Sequence, residues 1–131
     1  AAIEEVIPAI EIPETRGDFT KQLTLAVADN SQQKAIVLGK PHKYKEIELN
    51  GLKVRVYING LITEEGNSEN VMGDPVLSLI WLANTLFQFG RILHKDELIM
   101  TGSTTRQIKV SENDRVLTDF GSLGAVEVKF Q

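Results

Sequence analysis

The sequence has no cysteine. That excludes disulfide bonds, thiolate nucleophiles and cysteine-ligated zinc, and it fits a reducing, cytoplasmic setting. A long apolar run is also missing. The richest stretch, VLSLIWLANTLFQF, is broken by Ser78, Asn84, Thr85 and Gln88 and is too short to span a bilayer, so no membrane partner is expected. Basic residues hold no surplus: 14 Lys and Arg stand singly against 18 Asp and Glu, for a net charge of −4, which argues against a nucleic-acid partner. No basic segment followed by an apolar one opens the chain, so no secretory leader is expected. Only two histidines occur, His42 and His94. Neither has a serine and an aspartate arranged around it as in a nucleophilic triad. A glycine-rich phosphate loop and a dinucleotide fingerprint are likewise absent.

What is present describes one domain. The 131 residues, 42% hydrophobic and 24% charged, suffice for a core and exclude a disordered composition. The first residues, Ala-Ala-Ile-Glu-Glu, lack a methionine and already lie inside a patterned segment, so the chain is expected to be part of something longer. A short helical turn is expected before Pro8. The alternation Ala9-Ile10-Glu11-Ile12 then reads as a strand with both isoleucines on one face and Glu11 on the other. QLTLAVADN and KAIVLG read as two further strands.

The clearest local signal lies in EIELNGLKVRVYINGLITEEG. Asn50-Gly51 and Asn59-Gly60 each sit between alternating apolar residues, which predicts two type I′ turns and a three-strand meander. Leu52, Val54, Val56 and Ile58 would line one face, with Lys53, Arg55 and Tyr57 on the other. GDPVLSLIWLANTLFQFG predicts the one long helix, with Asp74 as N-cap, Pro75 at the first helical position and Gly90 at the C-terminal cap. Val76, Leu77, Ile80, Ala83, Leu86 and Phe87 form a stripe expected to be buried, widened by Trp81 and Leu82. DELIMTGS, RQIKVSENDRVLTDFG and AVEVKF complete the chain as strands, with turns at 111–114 and 121–124. Many strands, one helix and no βαβ alternation predict a mostly β, α+β fold: a largely antiparallel roll or sandwich with a helix against it.

Candidate chemistry is sparse. Glu11 is either a ligand for a hard cation such as Mg²⁺ or Mn²⁺ or a solvent-facing strand residue, and spacing alone favours the second. Glu14 and Arg16 suit a surface ion pair. Asp29, Asn30 and Ser31 are either fixed polar groups of a site or a turn that uses its own side chains for backbone bonds, the commoner outcome. In Thr101-Gly102-Ser103, glycine allows a ligand close to the backbone and the hydroxyls suit a carboxylate; a strand-end turn is again the commoner cause. His42 lies in KPHKYK and reads as an exposed loop residue. His94 follows the helix end, and Met72 and Met100 read as core or gap-filling residues.

Taken in order, AIEIPETR, VADN with VLG shortly after, GDPVLSLIWLANTLFQFG, ELIMTGS and VLTDFGSLGAVEVKF resemble, from end to end, the C-terminal half of the 2-keto-4-pentenoate hydratases. Those enzymes, with the related oxalocrotonate decarboxylases, belong to the fumarylacetoacetate hydrolase superfamily. The resemblance implies a mixed β-sandwich roll, here incomplete, and a homo-oligomer. It implies a lyase that adds water to a 2-hydroxy-2,4-dienoate, with Mg²⁺ or Mn²⁺ chelating the 2-oxo acid end. By resemblance Glu11 is one of three carboxylate metal ligands, and Asn30, Ser31, Gln32, Thr101, Gly102 and Ser103 border the substrate. The other two carboxylates, a Glu-x-Glu pair, and the acid/base lysine and aspartate are expected outside this chain. Glu4-Glu5 and Glu64-Glu65 are adjacent pairs whose side chains point apart on a strand. Gln32 stands where the family tends to place a serine, and Pro13-Glu14 replace the more usual Val-Asp. The chain alone is therefore expected to be inactive.

Overall fold

A four-stranded antiparallel sheet forms the centre of the chain, seen in a computed structural model that describes residues 2–14, 16–17 and 21–131. In chain order the strands are β1 (Glu5–Val6), β2 (Ala9–Pro13), β3 (Gln33–Leu38), β4 (His42–Lys43), β5 (Lys53–Ile58), β6 (Leu61–Asn67), β7 (Arg115–Asp119) and β8 (Ala125–Lys129). Two α-helices, α1 (Leu23–Ala28) and α2 (Pro75–Gln88), lie between them. The central sheet runs β6-β5-β7-β8, and β2 with β3 and β1 with β4 form separate two-stranded ladders. Every pairing among the described residues is antiparallel.

The Asn59-Gly60 hairpin forms as its sequence predicts. Both residues take positive φ, 52° and 83°, the pair of values a type I′ turn needs. Asn59 then reaches across the sheet. Its amide donates to Asp114 Oδ1 at 2.8 Å and its side-chain oxygen accepts from the Arg115 amide at 3.0 Å. Asp114 Oδ2 accepts in turn from the Ser111 amide at 2.8 Å. These bonds, the Ser111 amide first and the Asn59 amide second, hold the Asp114 carboxyl below the usual carboxylate range. A group with a depressed folded pKa contributes stability above its unfolded value and loses it as the pH falls through the folded one. We therefore expect the stability gap between wild type and Asp114→Asn to be full at neutral pH and to close in acid. Urea midpoints across that range measure it, and a gap independent of pH would contradict the assignment.

Asn50-Gly51 behaves differently. Gly51 has positive φ but Asn50 does not, and residues 47–49, where the first strand of the meander was expected, form no strand after the 3₁₀ turn at Tyr44–Glu46. The meander has two strands instead of three, because β7 occupies the other edge of β5, with Arg55 opposite Asp119 and Ile58 opposite Val116. The face assignment holds: Val54 and Val56 are buried, with Val116 and Val126 beside them in the core. Ser68, also buried, closes the start of β5 by accepting from the Leu52 amide through Oγ.

Helix α2 has the expected caps. Asp74 Oδ1 accepts from the Val76 amide at 2.7 Å. At the other end the Arg91 amide donates to the Leu86 carbonyl and the Gly90 amide to the Phe87 carbonyl, a Schellman closure that requires positive φ at Gly90. The stripe is another matter. No residue of α2 is buried, and Leu77, Ile80, Trp81 at 56% and Phe87 at 75% are exposed. Local sequence sets the caps, whereas burial of the stripe needs a covering surface that the described residues do not supply.

Other expectations fail for related reasons. Residues 23–28 form a short helix, with Leu23, Leu25 and Val27 all exposed; a short apolar run fits either element, and tertiary contact decides. Glu5–Val6 is a strand paired with β4 instead of a helical turn. His42 belongs to that pair, half-buried, with Nε2 3.0 Å from the Leu123 carbonyl oxygen, so it is not a loop residue. Residues 91–110 contain no strand. Met72 and Met100 are exposed, not core.

The unburied surface is large. A self-contained globular protein of this mass exposes roughly 6,900 Å² by the usual size scaling, whereas this chain exposes 9367 Å².

Candidate active site

Glu11 occupies the middle of β2, opposite Ile36 of β3. Its carboxylate is exposed and makes no hydrogen bond or ion pair with any described residue. The side chain borders a cavity of about 1350 Å³ between the sheets and α2, and Thr101, Gly102 and Ser103 line that same cavity. Ile10 and Ile12 line this cavity too, and the structure brings Glu11 into it together with the 101–103 segment.

The loop carrying that segment is held against the central sheet at Gly66. A β-carbon on Gly66 would strike the Thr104 carbonyl oxygen and lie 3.1 Å from Thr105 Cγ2, so only glycine lets the loop cross β6 so closely. The Asn70 amide donates to that carbonyl at 2.8 Å. Gly102 has φ 128°. Ser103 Oγ donates to the Thr105 carbonyl at 2.6 Å, while Thr101 makes no hydrogen bond to a described residue. Of the two hydroxyls, Thr101 is the one left to donate to a ligand.

Asn30, Ser31 and Gln32 are not on the cavity wall. They form a single turn between α1 and β3, at the end of the β2–β3 ladder, and all three have positive φ (51°, 53° and 70°). A turn does form, in left-handed form, but the side chains of Asp29 and Asn30 bond other side chains and not the backbone as an Asx-turn would. Around it lies a group of charges. The Arg16 Nε donates to both oxygens of Asp29, at 2.8 and 3.1 Å, Nη1 donates to Glu14 at 3.1 Å, and Nη2 to the Gln33 carbonyl at 3.3 Å. Lys34 Nζ donates to both Glu14 oxygens at 2.9 Å. The Lys34 bond first, and then Arg16, keep the Glu14 carboxyl below its ordinary range, and the Asp29 bond raises Arg16 above its own. The Glu14–Arg16 pair was legible in the sequence. The reach of Arg16 to Asp29 was not, because no local spacing rule links residues 13 apart across a turn.

The donors among the described residues do not make a metal centre. Among the described residues no group of three or more His, Asp or Glu is placed to hold a metal ion. Glu11 suits a hard cation by type, but one carboxylate falls short of the six oxygen donors or so that such ions take. Glu64 and Glu65 point apart, as expected, toward Arg106 and Arg55 respectively.

This mainly antiparallel α+β fold is shared with solved decarboxylase structures that are complexed with a divalent metal. The 4-oxalocrotonate decarboxylase from Pseudomonas putida G7, complexed with magnesium and adipate, superposes with a TM-score of 0.90 at 30% identity, over 98% of this chain and 49% of its own. The same enzyme complexed with calcium and acetate gives 0.88. By sequence the chain is 33% identical to the 4-oxalocrotonate decarboxylase of Pseudomonas putida, over 99% of this chain and 50% of the relative. It is 30% identical to the 2-oxo-hept-4-ene-1,7-dioate hydratase of Escherichia coli, over 98% and 51%. No family model matches it. Over nearly its whole length the chain is similar to 2-keto-4-pentenoate hydratases and 4-oxalocrotonate decarboxylases, and it spans about half the length of the curated relatives it matches. No helix among the described residues is long and apolar enough to cross a membrane.

Proposed function

We propose that the whole protein is a cytoplasmic lyase that hydrates a 2-hydroxy-2,4-dienoate, and that this chain is the C-terminal portion of its catalytic domain. The observation that carries the reading is the free Glu11 carboxylate sharing a cavity with Thr101, Gly102 and Ser103, in a fold whose relatives are hydratases and decarboxylases. Glu11 would be one ligand of Mg²⁺ or Mn²⁺, with the remaining ligands supplied from outside this chain. Thr101 Oγ and the Gly102 amide suit the carboxylate end of a 2-oxo acid, and Asn30, Ser31 and Gln32 would approach the substrate from the strand end. The acid/base groups also come from outside the chain, which by itself would be inactive.

The area excess supports this incompleteness. Roughly 2,500 Å² more is exposed than the mass requires, the scale of an obligate interface, and the α2 stripe contributes to its apolar part. The protein would also self-associate.

A second reading, decarboxylation of a related 2-oxo acid, is favoured by the decarboxylase with the higher identity. C–C hydrolysis is a further variant. One experiment separates them: the whole protein is incubated with Mg²⁺ or Mn²⁺ and a panel of dienoate and 2-oxo dioic acids, and products are weighed by mass spectrometry. Gain of one water is expected. Loss of carbon dioxide would favour the decarboxylase, and cleavage into two acids the hydrolase. No turnover, with no stabilisation by metal plus oxalate or pyruvate, would instead indicate a non-catalytic β-domain.

A further inference from the structure

The segment that carries Thr101, Gly102 and Ser103 is weakly tied. From residue 92 to residue 110 no residue is buried and no strand forms, and no main-chain hydrogen bond joins the segment to another described element. Local stability comes from buried contacts and protected hydrogen bonds, so such a stretch opens easily. Ligand groups carried on it need a fixed point.

Asn70 supplies one. Its side-chain amide donates to the Thr104 carbonyl at 2.8 Å, the one hydrogen bond that the main chain of 92–110 makes with another described part of the chain. The other polar tie is the Arg106–Glu64 pair, whose guanidinium is 88% exposed, and pairs of that kind contribute little. Asn70 itself stands on a rigid base. It ends the 3₁₀ turn Ser68–Asn70, where its main-chain amide donates to Asn67 Oδ1 at 3.1 Å. The buried Ser68 fastens that turn to the start of β5: its amide donates to the Leu52 carbonyl at 2.9 Å, and its Oγ accepts from the Leu52 amide at 3.2 Å. The next residue, Val71, is buried under the loop, with Cγ1 3.3 Å from where a β-carbon on Gly102 would stand. Two adjacent residues thus touch the loop at 102 and 104, on either side of Ser103. Neither lines the cavity that Glu11 borders, so both act on it only through the loop.

We infer that Asn70 is a positioning residue: by pinning the Thr104 carbonyl to a turn anchored on β5, it sets the place of Thr101 Oγ and the Gly102 amide relative to Glu11. The consequence for a bound 2-oxo acid rests on the lyase reading above; the pin itself does not.

The test compares Asn70→Asp and Asn70→Ala with wild type in the intact protein, with Glu69→Gln, an exposed neighbour on the same turn, as control. Aspartate keeps the shape but sets a carboxylate against a carbonyl, and alanine removes the group. Limited trypsin digestion, with fragments identified by mass, reads the loop directly, because Arg106 lies within it and Arg55 within β5. Cleavage after Arg106 should be about tenfold faster or more in both Asn70 variants and unchanged in the control, with cleavage after Arg55 unaffected. Unchanged cleavage after Arg106 would overturn the pin. So would an equal acceleration after Arg55, which marks general destabilisation. In turnover, KM should rise by about tenfold while kcat changes by less than about threefold, the mark of lost ground-state binding. A fall in kcat at constant KM, or no change in either, would overturn the positioning role. If wild type turns over no acid of the panel, the lyase reading and the positioning role fall together, and the digestion still decides the pin.

Discussion

Glu11→Gln in the whole protein is expected to lower divalent-cation-dependent turnover on the order of 10³-fold. The change keeps the shape and removes the charge. Glu11 is mid-strand, so the β2–β3 ladder holds its backbone whichever side chain it carries, and no described residue loses a bond when the carboxylate goes. The fold should therefore survive, and the loss should come from metal affinity. Altering only the groups that support a metal's ligands typically costs 10–100-fold; removing an anionic ligand to a hard dication should cost more. Glu127→Gln, on an exposed pair with Arg115, is the control and should leave turnover unchanged. The decisive readouts are the rate at saturating metal and the metal-induced thermal shift. Near-normal values of both in Glu11→Gln would end the metal role and leave Glu11 as a solvent-facing strand residue.

Gly66→Ala should be the most disruptive single-carbon change. Gly66 does not have positive φ, so alanine meets no backbone penalty there. The cost is contact alone: the new methyl would occupy the place of the Thr104 carbonyl, which the Asn70 amide bond holds to the sheet. Overfilling a packed site costs about 1–3 kcal/mol, and the relief available is to lift the 101–108 loop. Both stability and site geometry should then suffer, giving a lower denaturation midpoint together with weaker binding of 2-oxo acids. Stability within about 0.5 kcal/mol of wild type, the range of an ordinary surface substitution, would show that the loop does not cross β6 at this point.

How much of this was legible in the sequence depends on how local each cause is. Asn59-Gly60 fixes its own turn, and Asp74, Pro75 and Gly90 fix the ends of α2, because each acts on backbone groups within a few residues. The alternation around Val54 and Val56 identified the core face of β5 for the same reason. Leu23 to Ala28 went the other way. Nothing pairs with that segment, so its alternating leucines and valine had no sheet to join, and helix prevailed. The expected strands within 91–110 failed likewise, since strand pairing is a property of two segments. For the candidate site, the sequence singled out Glu11 and Thr101 to Ser103, but that they line one cavity is a property of the folded chain. The left-handed form of Asn30 to Gln32 was out of reach, because residue type calls for positive φ mainly at glycine and none of the three is one.

The exposed position of Trp81 has a practical consequence. It is the single tryptophan of this chain, so the tryptophan fluorescence of the 131 residues, excited selectively at the red edge, originates at one point on α2. Its emission colour and its access to a soluble quencher become a gauge of whether that face is wet or covered. Whatever binds there announces itself without a label, and dilution, truncation or a partner can be followed by eye on one spectrum.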